Sequence, residues 1–132
     1  MRMIFVNLPV ADLSRARAFY EALGFVNNPQ FTDEHAAAMV IEENIVVMLL
    51  TRERFADFVA GRVGNPAEST TVLNCLSAGS REEVDDLLAR ALAAGGKPWQ
   101  PAQDHGVMYG TSFADPDGHV WEAMWMDPAA LQ

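Results

Sequence analysis

The sequence holds one cysteine, Cys75, so an internal disulfide framework is excluded, and no Cys-x-x-Cys spacing marks a structural zinc site. A reducing, cytoplasmic setting is expected. Basic residues are scarce: 9 Lys and Arg stand against 18 Asp and Glu, for a net charge of −9. Such a chain repels a phosphate backbone, and no Lys/Arg cluster offers a local exception, so nucleic acid is not an expected partner. The same charge either steers a cationic ligand or simply keeps the protein soluble. Long apolar runs are missing too. Met1 to Val10 is short, broken by Asn7 and Pro9, and has no small-residue cleavage site behind it, so neither export nor a membrane partner is expected.

What is present suits a globular fold. With 132 residues, 50% hydrophobic and 20% charged, the chain fits a single domain over 1–132 with one core. Ile4 to Val10 reads as a strand. Asp12 then opens a helix whose Leu13, Ala16, Tyr20 and Leu23 recur at helical spacing before Gly24 ends it. Strand-like stretches follow at Phe25 to Asn28, Ala36 to Glu42 and Ile45 to Thr51, then a helix-like piece from Arg52 to Arg62. Residues 63–69 lack periodicity and read as a linker between a first repeat, about 1–62, and a second, about 70–128.

The pattern then begins again. Thr70 to Ala78 is a strand, and Ser80 with Glu83 forms a capping box. Val84, Leu87, Leu88, Ala91 and Leu92 stripe a helix that ends at Gly95-Gly96. Lys97 to Pro101, Gly106 to Ala114 and His119 to Met126 complete the strands, with Asp115-Pro116-Asp117-Gly118 as the turn chemistry between the last two. Aligning Asp12 with Ser80 matches Phe5 with Leu73 and Leu8 with Leu76, as an internal duplication would. The expected class is α+β, two βαβββ repeats forming paired curved mixed sheets around a cleft, with helices outside.

Leu8-Pro9-Val10-Ala11-Asp12-Leu13, the helix end Phe19-Tyr20-Glu21-Ala22-Leu23-Gly24-Phe25, and the closing stretch Tyr109 to Glu122 together resemble the vicinal oxygen chelate superfamily of glyoxalases, extradiol dioxygenases and bleomycin-resistance proteins. The resemblance spans nearly the whole chain. It implies a divalent metal held by one side chain from the first and one from the last strand of each repeat. In this sequence those positions fall on Phe5, Met48, Leu73 and Glu122. Phe5 and Leu73 hold no metal, and a thioether is a poor partner for hard or borderline divalent ions, so no metal cofactor is expected. The resemblance also implies a homodimer, with Phe55 and Phe58 near the partner.

Strand alternation puts Phe5, Asn7, Met48, Leu73, Cys75, Glu122 and Met124 on the cleft side, and Trp121 and Trp125 toward the helices. In such apolar surroundings Glu122 is the candidate general acid or base, or else a relic bonded to Asn7 or Tyr109. His105 and Tyr109 flank the approach and would orient a polar ligand, while His35 and His119 read as exposed. Cys75 is a nucleophile or a small buried core residue. Phe31, Phe55, Phe58, Trp99 and Trp125 wall a groove or belong to the core. The functional expectation is a metal-independent protein binding a small molecule near Glu122. The alternatives are a glyoxalase-like lyase, isomerase or dioxygenase using Glu122 as base or as metal ligand in an unusual set that includes His105, and a protein that acts only through its surface.

Overall fold

Asp12 separates the first strand from the first helix. Its carboxylate accepts from the Arg15 backbone N–H at 3.1 Å, satisfying one of the N–H groups that a helix start leaves without an internal partner. The computed structural model describes residues 1–131. In them β1 (Ile4–Val10) is followed by α1 (Leu13–Ala22), β2 (Val26–Asn28), β3 (Ala36–Glu42), β4 (Ile45–Thr51) and α2 (Arg52–Ala56). These belong to a compact unit, Met1–Asn65. Gly24, at φ 98°, lets the chain leave α1 in a conformation that a side chain resists.

The sheet of this unit runs β1-β4-β3-β2, with β1 parallel to β4 and the other pairs antiparallel. Register places Val47, Leu49, Met39 and Ala37 on the face that carries α1, and all four are fully buried. Phe19 and Tyr20 of α1 press onto them, their rings meeting edge to face with centroids 5.0 Å apart. Phe5, Asn7 and Met48 share the opposite, more open face. Helix α2 is shorter than the Arg52 to Arg62 expected from sequence. After Ala56 the backbone tightens into three-residue turns, and Arg52 reaches forward to the carbonyls of Val63 and Gly64, drawing the following segment across the helix start.

The second compact unit is Pro66–Gln132. It contains β5 (Leu73–Ser77), α3 (Arg81–Ala93), β6 (Lys97–Pro98), β7 (Gln103–Asp104), β8 (Met108–Ala114) and β9 (Val120–Met126). The sheet runs β5-β9-β8-β6, with β7 also on β8 and β5 parallel to β9. The element order repeats that of the first unit with one strand more after the helix, and the α+β class with two mixed sheets stands as expected. The cap of α3 is a variant of the expected box. Ser80 Oγ accepts from the Glu83 N–H, while the Glu83 carboxylate accepts from Gly79, one residue before the cap.

Trp121 and Phe113 lie opposite each other on β9 and β8 and are almost completely buried, with Val84 and Ala91 of α3. Removing each ring from water contributes on the order of 2–3 kcal/mol. The strand expected from Lys97 to Pro101 is cut to Lys97–Pro98, and the polar pair Gln103–Asp104 forms an additional short strand. Among the described residues no helix is long and apolar enough to cross a membrane.

Candidate functional site

The turn before β9 sets the phase of everything after it. Asp115, almost fully buried, accepts three backbone N–H bonds on one oxygen, from Asp117, Gly118 and His119, at 3.0, 2.9 and 2.8 Å. With that loop fixed, β8 and β9 pair Phe113 with Trp121 on the helix side, and Ser112 with Glu122 on the open side. β5 joins in parallel and brings Cys75 opposite Glu122. Gly110 stands opposite Met124 and leaves its side of the sheet open.

A pocket of about 130 Å³ lies on this open face, lined among others by Cys75, Gln100, Gln103, Met108, Ser112, Glu122 and Met124. One wall is the connection from β6 to β7. It is fastened where the Gln100 backbone N–H donates to Ser112 Oγ at 2.9 Å. Among the described residues the Glu122 carboxylate has no hydrogen-bond or ion-pair partner. Although Cys75 lies at the surface, partial desolvation against the sheet pushes its thiol pKa up, and the Glu122 charge pushes it further in the same direction. Both effects hold the sulfur as a neutral thiol, the unreactive form.

The far side of the same sheet is closed by a clamp. Arg81, at the start of α3, donates to both carboxylate oxygens of Asp104 at 2.8 and 2.9 Å and to the Gly106 carbonyl at 2.8 Å. Its guanidinium carbon lies 5.1 Å from the Tyr109 ring centre and 5.1 Å from that of Trp125. The Arg81 hydrogen bonds, with help from the Gly106 N–H, hold the Asp104 pKa at about 2. Because Asp104 directly follows Gln103, this clamp fixes the strand that carries Gln103 to the pocket.

The expected site residues divide accordingly. Cys75, Glu122 and Met124 meet at the pocket. Leu73 shares their face but is 53% exposed. Tyr109 is not at the pocket. Met108, Gly110 and Ser112 face it, so strand parity turns Tyr109 to α3, where its hydroxyl donates to Asp85 at 2.5 Å. That bond first, and burial second, raise the Tyr109 pKa. His105 is held by its backbone in the turn before β8, outside the pocket lining. In the first unit, Phe5, Asn7 and Met48 share a face, and the Asn7 amide donates to the Phe5 carbonyl at 3.3 Å. Among the described residues Tyr109 is therefore bonded to Asp85 and not to Glu122.

Several other expectations change. Cys75 is exposed rather than core, and the exposed Phe31, Phe58 and Trp99 are not core either. His119 is half-buried, whereas His35 is exposed. The pocket is mixed in polarity rather than an apolar cup, because Gln100, Gln103 and Ser112 contribute to it. The parity of Ser112 was readable from the hairpin. The two glutamines lie where no periodicity points inward.

The donor set implied by the fold family does not fit a divalent metal. Phe5 and Leu73 have no ligating atom, Met48 offers a thioether, and Glu122 supplies one carboxylate. Among the described residues no group of three or more His, Cys, Asp and Glu side chains gathers to replace them.

Residues 2–42 match the family model described as bleomycin resistance protein-like N-terminal. No curated protein matches the sequence. Solved structures match across nearly the whole length. A hypothetical protein from S. aureus is 28% identical, with 95% of this chain and 94% of that one covered at a TM-score of 0.80. A glyoxalase-related enzyme from Fulvimarina pelagi is 22% identical, with 95% and 88% covered at 0.79. A glyoxalase/bleomycin resistance protein/dioxygenase family enzyme from Burkholderia phytofirmans PsJN is 19% identical, with 96% and 99% covered at 0.77.

Proposed function

The chain has the fold of the vicinal oxygen chelate superfamily, and on that premise we propose that it binds a small molecule beside Glu122 without the superfamily's divalent metal. The observation that carries this reading is a carboxylate with no hydrogen-bond or ion-pair partner among the described residues, in a pocket whose described lining holds no other charge. A ligand there meets one acceptor-only anion and an otherwise neutral wall, so neutral and cationic molecules are favoured over anions. The chemistry of Phe5, Met48 and Leu73 supports metal independence. Tight stoichiometric uptake of manganese, nickel or zinc by the purified protein, abolished by Glu122→Gln, would overturn the proposal.

A second reading is favoured by the same carboxylate. A Glu122 carboxylate without a partner among the described residues, beside an open pocket, can accept a proton, which favours a lyase, isomerase or dioxygenase with Glu122 as base. Absence of turnover on hemithioacetals, catechols and epoxides, with or without added divalent metals, removes that reading for the superfamily's usual chemistry.

We also propose a homodimer in a reducing cytoplasm. Phe58, 70% exposed with Arg54 stacked 5.4 Å above its ring, and Phe5, 54% exposed, offer apolar surface for a partner copy. Light scattering that gives a monomer at micromolar concentration contradicts the dimer.

A further inference from the structure

We infer that the pocket beside Glu122 selects a primary ammonium head on a short aliphatic stem. The inference rests on the reading of this pocket as the ligand site and assigns the chemical class of its occupant. Among the described residues Glu122 is its only charged lining residue. The side-chain amides of Gln100 and Gln103 have no hydrogen-bond partner among the described residues. Both glutamines are exposed and line the same pocket, so either amide can turn its oxygen toward a ligand seated on Glu122, and a carboxylate with two such oxygens matches a primary ammonium, which carries three N–H donors and no acceptor.

Other heads fit less well. An anion meets Glu122 with no cation to offset the repulsion. A quaternary ammonium has no N–H and is normally held by aromatic faces, yet among the described residues no aromatic side chain lines this pocket. A planar guanidinium carries five N–H donors in a fixed fork, more than a carboxylate and two amide oxygens can satisfy together. The pocket, of about 130 Å³ and open to solvent on one side, takes a head group and a short stem. Met108 and Met124 supply the flexible apolar wall for the stem. The protein's net charge of −9 favours the encounter with a cation.

The test uses protein labelled with ¹³C at its methionine methyls, so that Met108 and Met124 report occupancy. It is titrated with n-butylammonium, n-butanol and butyrate. The expected result is that n-butylammonium shifts both methyls at millimolar concentration and binds at least tenfold more tightly than n-butanol, while butyrate shifts neither. Glu122→Gln should erase the advantage of the amine over the alcohol. Gln103→Ala should weaken the amine severalfold and leave the alcohol unchanged. The remaining methionine signals show in each case that the variant is folded. If alcohol and amine bind equally and Glu122→Gln changes neither, the ammonium assignment falls while the pocket stands as a ligand site. If none of the three probes moves Met108 or Met124, both fall together.

Discussion

Cys75 and Glu122 face each other across the parallel pairing of β5 with β9, as Asn7 and Met48 do across β1 and β4. The two units thus use one register for different chemistry, a thiol and a carboxylate in one and an amide and a thioether in the other. In the second unit the pairing has an electrostatic consequence. Burial is the larger cause of the raised Cys75 pKa, and the Glu122 charge is the next.

Glu122→Gln should therefore lower the Cys75 pKa without returning it to the ordinary value. Iodoacetamide alkylation of Cys75, the only cysteine of the chain, measured from pH 7 to 10, is expected to shift its midpoint downward. The rate at pH 8 should rise about two- to fivefold as the thiolate fraction grows. An unchanged profile means that the carboxylate does not act on the sulfur.

The Arg81 clamp predicts an acid-dependent contribution. The folded pKa of Asp104, about 2, lies below its ordinary 3.8. The ion pair therefore stabilises the fold fully above about pH 5 and is lost as the pH falls from there through 2. In Arg81→Met the Asp104 titration, followed by carboxyl ¹³C shifts, should move up from about 2 toward 3.8. The urea-midpoint gap between wild type and variant should stay constant from pH 7 to 5 and narrow below 4. Arg81→Lys should behave more like Met than like Arg, since an ammonium cannot reproduce the two-oxygen fork or stack between two rings. A titration that stays at its original midpoint in the Met variant refutes the clamp as its cause.

Asp115→Ala should be among the most damaging single changes in the second unit. It leaves the N–H groups of Asp117, Gly118 and His119 without the oxygen they share, at a cost of roughly 3–5 kcal/mol. Asp115→Asn keeps an oxygen able to accept and should cost less than half as much. Chemical denaturation of the two variants distinguishes this from a simple charge effect, which would make them equal.

Two glycines with the same φ of 105° separate backbone strain from steric conflict. A Cβ on Gly95 meets nothing within 4 Å, whereas one on Gly118 would lie 2.8 Å from backbone atoms of Pro66 and Ala67. Gly95→Ala should cost about 1 kcal/mol of stability. Gly118→Ala should cost roughly 3 kcal/mol or more, because backbone has to move. Equal losses in thermal melts contradict the contact with Ala67.

The parts of the fold that were legible have local causes. Ile4–Val10 and Leu13–Ala22 were readable because Asp12 marks the boundary between them, and Ser80 marks the start of α3 in the same way. The overlong helix from Arg52 shows the opposite case: after Ala56 the chain passes into three-residue turns that no local sequence signal announces. β7 has only two polar residues and exists through its pairing with β8, so no alternation announces it. At the site, Glu122 was readable from the turn that precedes it. Tyr109 was misplaced because its direction depends on the β8–β9 register, and Gln100 and Gln103 were missed because a wall segment takes its position from Ser112 and Arg81.

The contact between Gly118 and Ala67 also orders events during vectorial synthesis. β1 finds its partner once residue 51 has been made. In contrast, β5 has a single ladder partner, β9, and the residues ahead of it are seated by the turn at Gly118. The second unit therefore waits for its final hairpin to leave the ribosome before its first strand has a neighbour. The wall, floor and carboxylate of the pocket come into being in the same late step.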